Sequence, residues 1–241
     1  YFNIASRLRD YMVTLTAGET LDENGNPLSG TGFEYDSEGP IAELLANRVT
    51  PLFSSPLLGE FAWGLIRGDQ TNGEYERGAG VFPPGNLGPP EHIHPGFDEK
   101  FKIISGNFVI KQNGKESTYG PGEELTVKRG TAHTFRCVGD ENGVLIAESW
   151  PASRLGEIAC TLFGLAHEGK LGPKGQPSFW QGIALGKEYT DDFALPFPPP
   201  LVSKILITLL APIAKLLGYQ ATDPRYLEDS YWLERVNQPP K

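Results

Sequence analysis

Residues 92–99 read His92-Ile93-His94-Pro95-Gly96-Phe97-Asp98-Glu99, and residues 122–133 read Gly122-Glu123-Glu124-Leu125-Thr126-Val127-Lys128-Arg129-Gly130-Thr131-Ala132-His133. Together they hold three of the chain's four histidines. His92 and His94 stand at i and i+2, which puts both rings on one face of a strand. Glu99 has the wrong parity to share that face on an unbroken strand. Pro95-Gly96 supplies the correction, because a turn or bulge there returns Glu99 to the histidine side. Beyond it, Glu99, Phe101 and Ile103 share a face, and Ser105-Gly106-Asn107 reads as a hairpin turn. His133 arrives from a separate strand, after a turn at Lys128-Arg129-Gly130.

Three imidazoles and one carboxylate make a borderline-soft donor set. It suits one divalent transition metal (Fe, Mn, Ni, Cu or Zn) better than calcium or magnesium. An octahedral ion held by His92, His94, Glu99 and His133 keeps two positions open for water, dioxygen or a chelating substrate. Glu99 is also the candidate catalytic residue, since a carboxylate that leaves the metal can act as a base.

These segments resemble the two motifs of the cupin superfamily. The first, HxHx(4)Ex(6)G, is matched at His92, His94, Glu99 and Gly106, with the leading glycine one position early at Gly85. The second, Gx(5)PxGx(2)Hx(3)N, is matched at Gly122, Gly130 and His133, and departs at Lys128 and Cys137. The resemblance covers roughly residues 60–150. It implies a mainly β fold, the cupin double-stranded β-helix or jelly-roll barrel, and a metal at the four matched ligands. At the metal site alone the chain is similar to quercetinase-like dioxygenases. By analogy with other single-domain cupins it implies a homodimer.

The pattern around the motifs agrees. Strands are expected at 61–66, 74–82, 91–94, 100–104, 108–112, 116–119, 124–127, 133–137 and 144–150, with a hairpin at Asn113-Gly114 and a turn at Gly120-Pro121-Gly122. The expected substrate pocket is apolar and aromatic: Phe101, Ile103, Phe108, Ile110, Phe135 and Cys137, with Trp63 and Trp150 near the barrel ends. Plain core packing is the simpler role for most of these aromatics. Cys137 and Cys160 form no disulfide framework and read as buried small hydrophobes.

Outside the barrel, residues 1–59 read as an N-terminal arm with a helical turn at 4–9, a loop at 22–39 and a short helix at 41–49. Residues 151–241 read as a helical and proline-rich extension packed on the barrel. Leu155, Ile158, Ala159, Leu162 and Phe163 describe an amphipathic helix with Ser153 as its cap and His167 near its C-terminal end, a surface or dipole partner. Residues 169–200 read as a long irregular lid or wrapping arm. Leu201–Leu217 is nearly all apolar, with Lys204, Thr208, Ala211 and Lys215 on one stripe. It is short for a membrane span. Burial on the barrel or at a dimer interface is favoured over a helix lying in a membrane surface.

Net charge is −9 and the sequence pI about 5.0, which removes the electrostatic footprint of a nucleic-acid binder. No secretory signal is visible, which points to the cytoplasm. The reading that results is a metal-dependent cupin enzyme, an oxidoreductase or dioxygenase acting on a small, partly apolar organic molecule. The alternatives are a small-molecule-binding or membrane-associated module without catalysis, and a metal-dependent isomerase or lyase.

Overall fold

The computed structural model describes residues 13–240. Three antiparallel sheets organise it. β1 (Thr14–Ala17) pairs with β2 (Phe33–Asp36) in a small ribbon. β3 (Phe53–Ser55), β4 (Glu60–Ile66), β5 (Glu76–Phe82), β6 (Asp98–Ser105), β9 (Glu124–Val127) and β11 (Gly143–Trp150) form a six-stranded sheet in the order β3-β4-β5-β11-β6-β9. β7 (Asn107–Gln112), β8 (Lys115–Tyr119) and β10 (His133–Val138) form a three-stranded sheet in the order β10-β7-β8. The chain between β5 and β6 joins the smaller sheet through one bridge, His92 to His133.

Eight of the nine expected strands are present; residues 91–94 form isolated bridges instead of a ladder. The expected closed barrel is corrected. The two larger sheets face each other as a double-stranded β-helix, but no continuous hydrogen-bonded ladder joins their edges. The hairpin expected at Ser105-Gly106-Asn107 is a corner, since β6 and β7 belong to different sheets. Gly106 makes it with φ +69°, and a Cβ there would lie 2.6 Å from the Gly143 Cα. The Asn113-Gly114 turn does join paired strands, with both residues at positive φ.

The six-stranded sheet has a hydrophobic core on each face. Adjacent residues of β11 show the alternation: Val144 packs with Phe61, Trp63, Val81, Phe163 and Trp232, whereas Leu145 packs with Phe101, Ile103, Phe108, Ile110 and Cys137. Trp63 is therefore wholly in the first core, with its Nε1 donating to the Leu44 carbonyl at 3.3 Å, and not at a barrel mouth.

The flanks build that first core. The short helix α1 (Pro40–Ala46) buries Leu45. Helix α2 (Leu155–His167) packs on β3 and β4. Ser153 does not cap α2 in the expected way: Arg154 is the N-cap residue, and Ser153 Oγ accepts from the Leu155 N–H at 3.2 Å. His167 is no charged dipole partner. Burial pushes it down to about 4, and its Nε2 lies 3.1 Å from Ser54 Oγ.

The irregular segment expected at 169–200 contains helix α3 (Phe179–Glu188). Gly182 and Gly186 hide its period, but Ser178-Phe179-Trp180-Gln181 is a capping signature, and Ser178 Oγ accepts from the Gln181 N–H at 3.3 Å. Helix α4 (Pro200–Leu216) forms where the apolar run is, and its neighbour is α3. Only Ala214 of it is fully buried. Helix α5 (Asp229–Leu233) closes the first core with Tyr231 and Trp232. The helical turn expected at 4–9 lies outside the described residues.

Candidate metal centre

The side chains of His92, His94, Glu99 and His133 converge. One ligand atom from each lies within 4.8 Å of all the others, and all four residues are buried. The bridge between His92 and His133 carries two of the rings, with reciprocal N–H to carbonyl bonds of 2.9 and 2.8 Å. Glu99 comes from β6, where Glu99, Phe101 and Ile103 alternate inward as expected. Gly96 lets two segments meet here: its N–H donates to the Asp191 carbonyl at 2.9 Å, and a Cβ would lie 2.7 Å from that oxygen.

The hydrogen bonds of the rings reveal what the cluster is built for. His92 Nδ1 lies 2.8 Å from the Pro90 carbonyl oxygen, His94 Nδ1 2.6 Å from that of Asp192, and His133 Nδ1 3.0 Å from that of Thr131. A carbonyl oxygen only accepts, so each Nδ1 carries the proton and donates. In the neutral imidazole each Nε2 is then a bare lone pair. These lone pairs point at one another and at a carboxylate: His92 Nε2 to His94 Nε2 is 3.2 Å, and His94 and His133 Nε2 are each 3.1 Å from Glu99 Oε2. Four acceptors without a donor among them repel unless a cation sits between them. The donor set fits one divalent transition metal, and the backbone carbonyls behind the rings fix the tautomer that ligation needs.

The electrostatics agree. Burial first, then the neighbouring His133 and His94, hold His92 down to about 3, so it is neutral. Burial pushes Glu99 up, whereas protonated His133 and His94 would outweigh it and hold the carboxyl down to about 2; with their Nε2 atoms bare, a cation has to supply that positive charge.

Sequence reasoning singled out the four residues that the structure brings together and missed what covers them. Residues 189–194 form a strap across the site. Asp192 contributes its carbonyl to His94, Ala194 pairs with Ile93, and Phe193 stacks on the His92 ring at 4.8 Å and 15°. Phe97 stacks on the His94 ring at 4.3 Å. The Asp192 carboxylate is held by Arg154, whose main-chain N–H and Nε each donate at 2.9 Å. A main-chain carbonyl leaves no mark in a sequence, and neither does the pairing of Arg154 with Asp192 across 38 residues.

The residues expected to line a substrate pocket are together beside the cluster. Phe101, Ile103, Phe108, Ile110 and Cys137 are buried against Leu125, Val127 and Leu145, with Phe135 packed on them. Phe101 lies 6.3 Å from the His133 ring and 5.4 Å from that of Phe135. Cys137 is absent from the ligand cluster, and its Sγ lies 3.6 Å from the Glu141 carbonyl.

Residues 80–147 match the family model described as a cupin domain. The chain carries a cupin domain. Solved structures are similar to part of the chain at low identity and low TM-score. A predicted oxalate decarboxylase from Thermotoga maritima is 20% identical, with a TM-score of 0.39, over 44% of this chain and 96% of its own. An RmlC-like cupin from Shewanella frigidimarina is 21% identical, with a TM-score of 0.37, over 43% of this chain and 86% of its own. KdgF from Halomonas sp. is 17% identical, with a TM-score of 0.35, over 38% of this chain and 78% of its own. No curated protein matches the chain.

Proposed function

We propose that the cupin domain is a metal-dependent oxidoreductase of the dioxygenase type, acting on a small, partly apolar organic molecule. The observation that carries this reading is the convergence of three Nε2 lone pairs and one carboxylate on a single buried point. A redox-active metal bound there would supply a centre at which dioxygen and substrate meet.

The chain's own residues supply the rest. Phe193, Phe97 and Phe101 surround the rings with apolar surface and exclude water. Glu99 is the base. Both of its imidazole contacts use Oε2, which leaves Oε1 to accept a proton from a substrate hydroxyl or C–H. Phe101, Ile103, Phe108, Ile110, Phe135 and Cys137 offer an apolar wall on the same side. Entry of a substrate requires the strap at 189–194 to lift.

Elemental analysis of the purified protein, followed by oxygen uptake with a panel of small phenols and enols, tests this. Iron, copper, nickel or manganese with substrate-dependent uptake supports it; zinc alone, with no uptake, overturns it. The burial of all four ligands beneath Phe193 favours one second reading, a module that holds metal or ligand without catalysis. That reading expects stoichiometric metal, no uptake, and a melting temperature that falls when the metal is removed.

A further inference from the structure

Helix α4 turns its most apolar side outward. Its contact with the molecule is through α3, where Ile207 comes against Gly186 so closely that a Cβ on Gly186 would lie 2.9 Å from Ile207 Cδ1. Ser203, Ile207, Leu210, Ala211 and Ala214 make that inner stripe. At about 100° per residue, Val202, Ile205, Leu209, Ile213 and Leu216 fall on the opposite side. All five are exposed; Leu209 is 66% and Leu216 87% accessible. Exposed phenylalanines stand at both ends of this ridge. Phe197, 81% accessible, precedes the N-terminus of α4. Phe179, 64% accessible, opens α3 at the other end, where Gln181 donates to the carbonyls of Gln220 and Ala221 just past α4.

The charges on this part of the chain differ from those elsewhere. From Phe193 to Thr222 there is no aspartate or glutamate, although the protein carries net charge −9. The two charges in the segment are Lys204 and Lys215, both exposed and both on the flank between the inner stripe and the outer ridge, beside Thr208.

We propose that α4 is an interfacial membrane helix, which docks the cupin domain onto a bilayer surface containing anionic lipid. An apolar ridge of this size costs free energy in water and is stabilised when it enters the acyl boundary. Phenylalanines at the two ends extend the apolar face that enters the acyl boundary, and lysines on the flank reach anionic headgroups. A second copy of the chain fits less well. Pairing two ridges would bring four lysines together with no carboxylate in either segment to meet them. The helix lies along the surface: among the described residues, no helix is long and apolar enough to cross a membrane.

The test is co-sedimentation of the intact, metal-loaded protein with vesicles of phosphatidylcholine alone and of phosphatidylcholine mixed with phosphatidylglycerol, with light scattering of the protein alone. Pelleting with the mixed vesicles is expected. Leu209→Asp should weaken it at least about tenfold, the change that follows from withdrawing one leucine from an apolar phase. Lys204→Glu with Lys215→Glu should weaken binding to the mixed vesicles more than to phosphatidylcholine. All these positions are exposed, so metal content and melting temperature should stay as in the parent. Failure to pellet with either vesicle overturns the proposal, as does pelleting that survives Leu209→Asp. A dimer that Leu209→Asp dissociates, without vesicle binding, overturns it in favour of a second copy.

Discussion

His94 donates its Nδ1 proton to the carbonyl oxygen of Asp192 at 2.6 Å, across 98 residues of chain. The ring that the cupin motif places is thus oriented by a residue far outside that motif. Three groups hold Asp192 there: the Arg154 main-chain N–H, the Arg154 guanidinium, and the pairing of Ala194 with Ile93.

Arg154→Ala removes the guanidinium and leaves the main-chain bond. Metal affinity should fall about 10–100-fold, the usual effect of losing a partner that orients a ligand. Gly96→Ala should act the same way, because its Cβ would push the Asp191 carbonyl and the strap outward. Competition with a chelator measures both. Unchanged affinity in both variants would show that the strap does not support the site.

His94→Ala removes one of three neutral donors, and Glu99→Gln removes the one anion. Each should lose most of its metal on dialysis against a chelator. Each apo-variant should fold, since neither apolar core counts His94 or Glu99 among its members. Retention of full metal content by both variants, measured by elemental analysis, would place the metal elsewhere.

Acid stability should report the neutral histidines. Burial holds His92 down to about 3 and His167 down to about 4, against about 6.5 in the unfolded chain. The folded protein therefore binds fewer protons than the unfolded chain in these windows. The stability contributed is complete above about pH 6.5 and is lost as pH falls, with a limiting slope of about 1.4 kcal/mol per pH unit for each site. Urea unfolding of the apo-protein between about pH 8 and about pH 5 should show the decline, and His167→Gln should make it shallower.

Glu60 has the opposite sign. Burial pushes its carboxyl up to about 7, against the opposing hydrogen bond from Asn86 Nδ2 at 2.6 Å. Its contribution is complete below about pH 4.5 and is lost as pH rises toward 7. Glu60→Gln keeps the acceptor for Asn86 and removes the charge. It should match the parent near pH 4.5 and exceed it by about 1–3 kcal/mol near pH 8, measured by urea unfolding.

What could be read from the sequence followed periodicity and spacing. The cluster residues were legible because His92, His94 and Glu99 are local, with i and i+2 histidines and a proline-glycine break, and because the second motif's spacing marks His133 on a separate strand. The strands from β4 to β11 were legible because turn residues bound them. β1, β2 and β3 are only three or four residues long and carry no period of their own. Helix α3 was hidden by two glycines. The corner at Gly106 was misread because a glycine turn looks the same whether the next strand pairs with the last or joins another sheet. The exposure of the α4 ridge could not be read at all, since an apolar helix face says it must be covered and not by what.

The strap also sets a timetable for synthesis. A chain emerging from the ribosome completes His92, His94, Glu99 and His133 well before Asp192, Phe193 and Ala194. Until those residues arrive, His94 lacks the acceptor that fixes its proton and the rings stand open to water. Any ion caught at that stage is held loosely and exchanges. A metal that the cluster keeps would be one bound after the chain has closed over it, so loading would belong to the finished protein and answer to the ions available then.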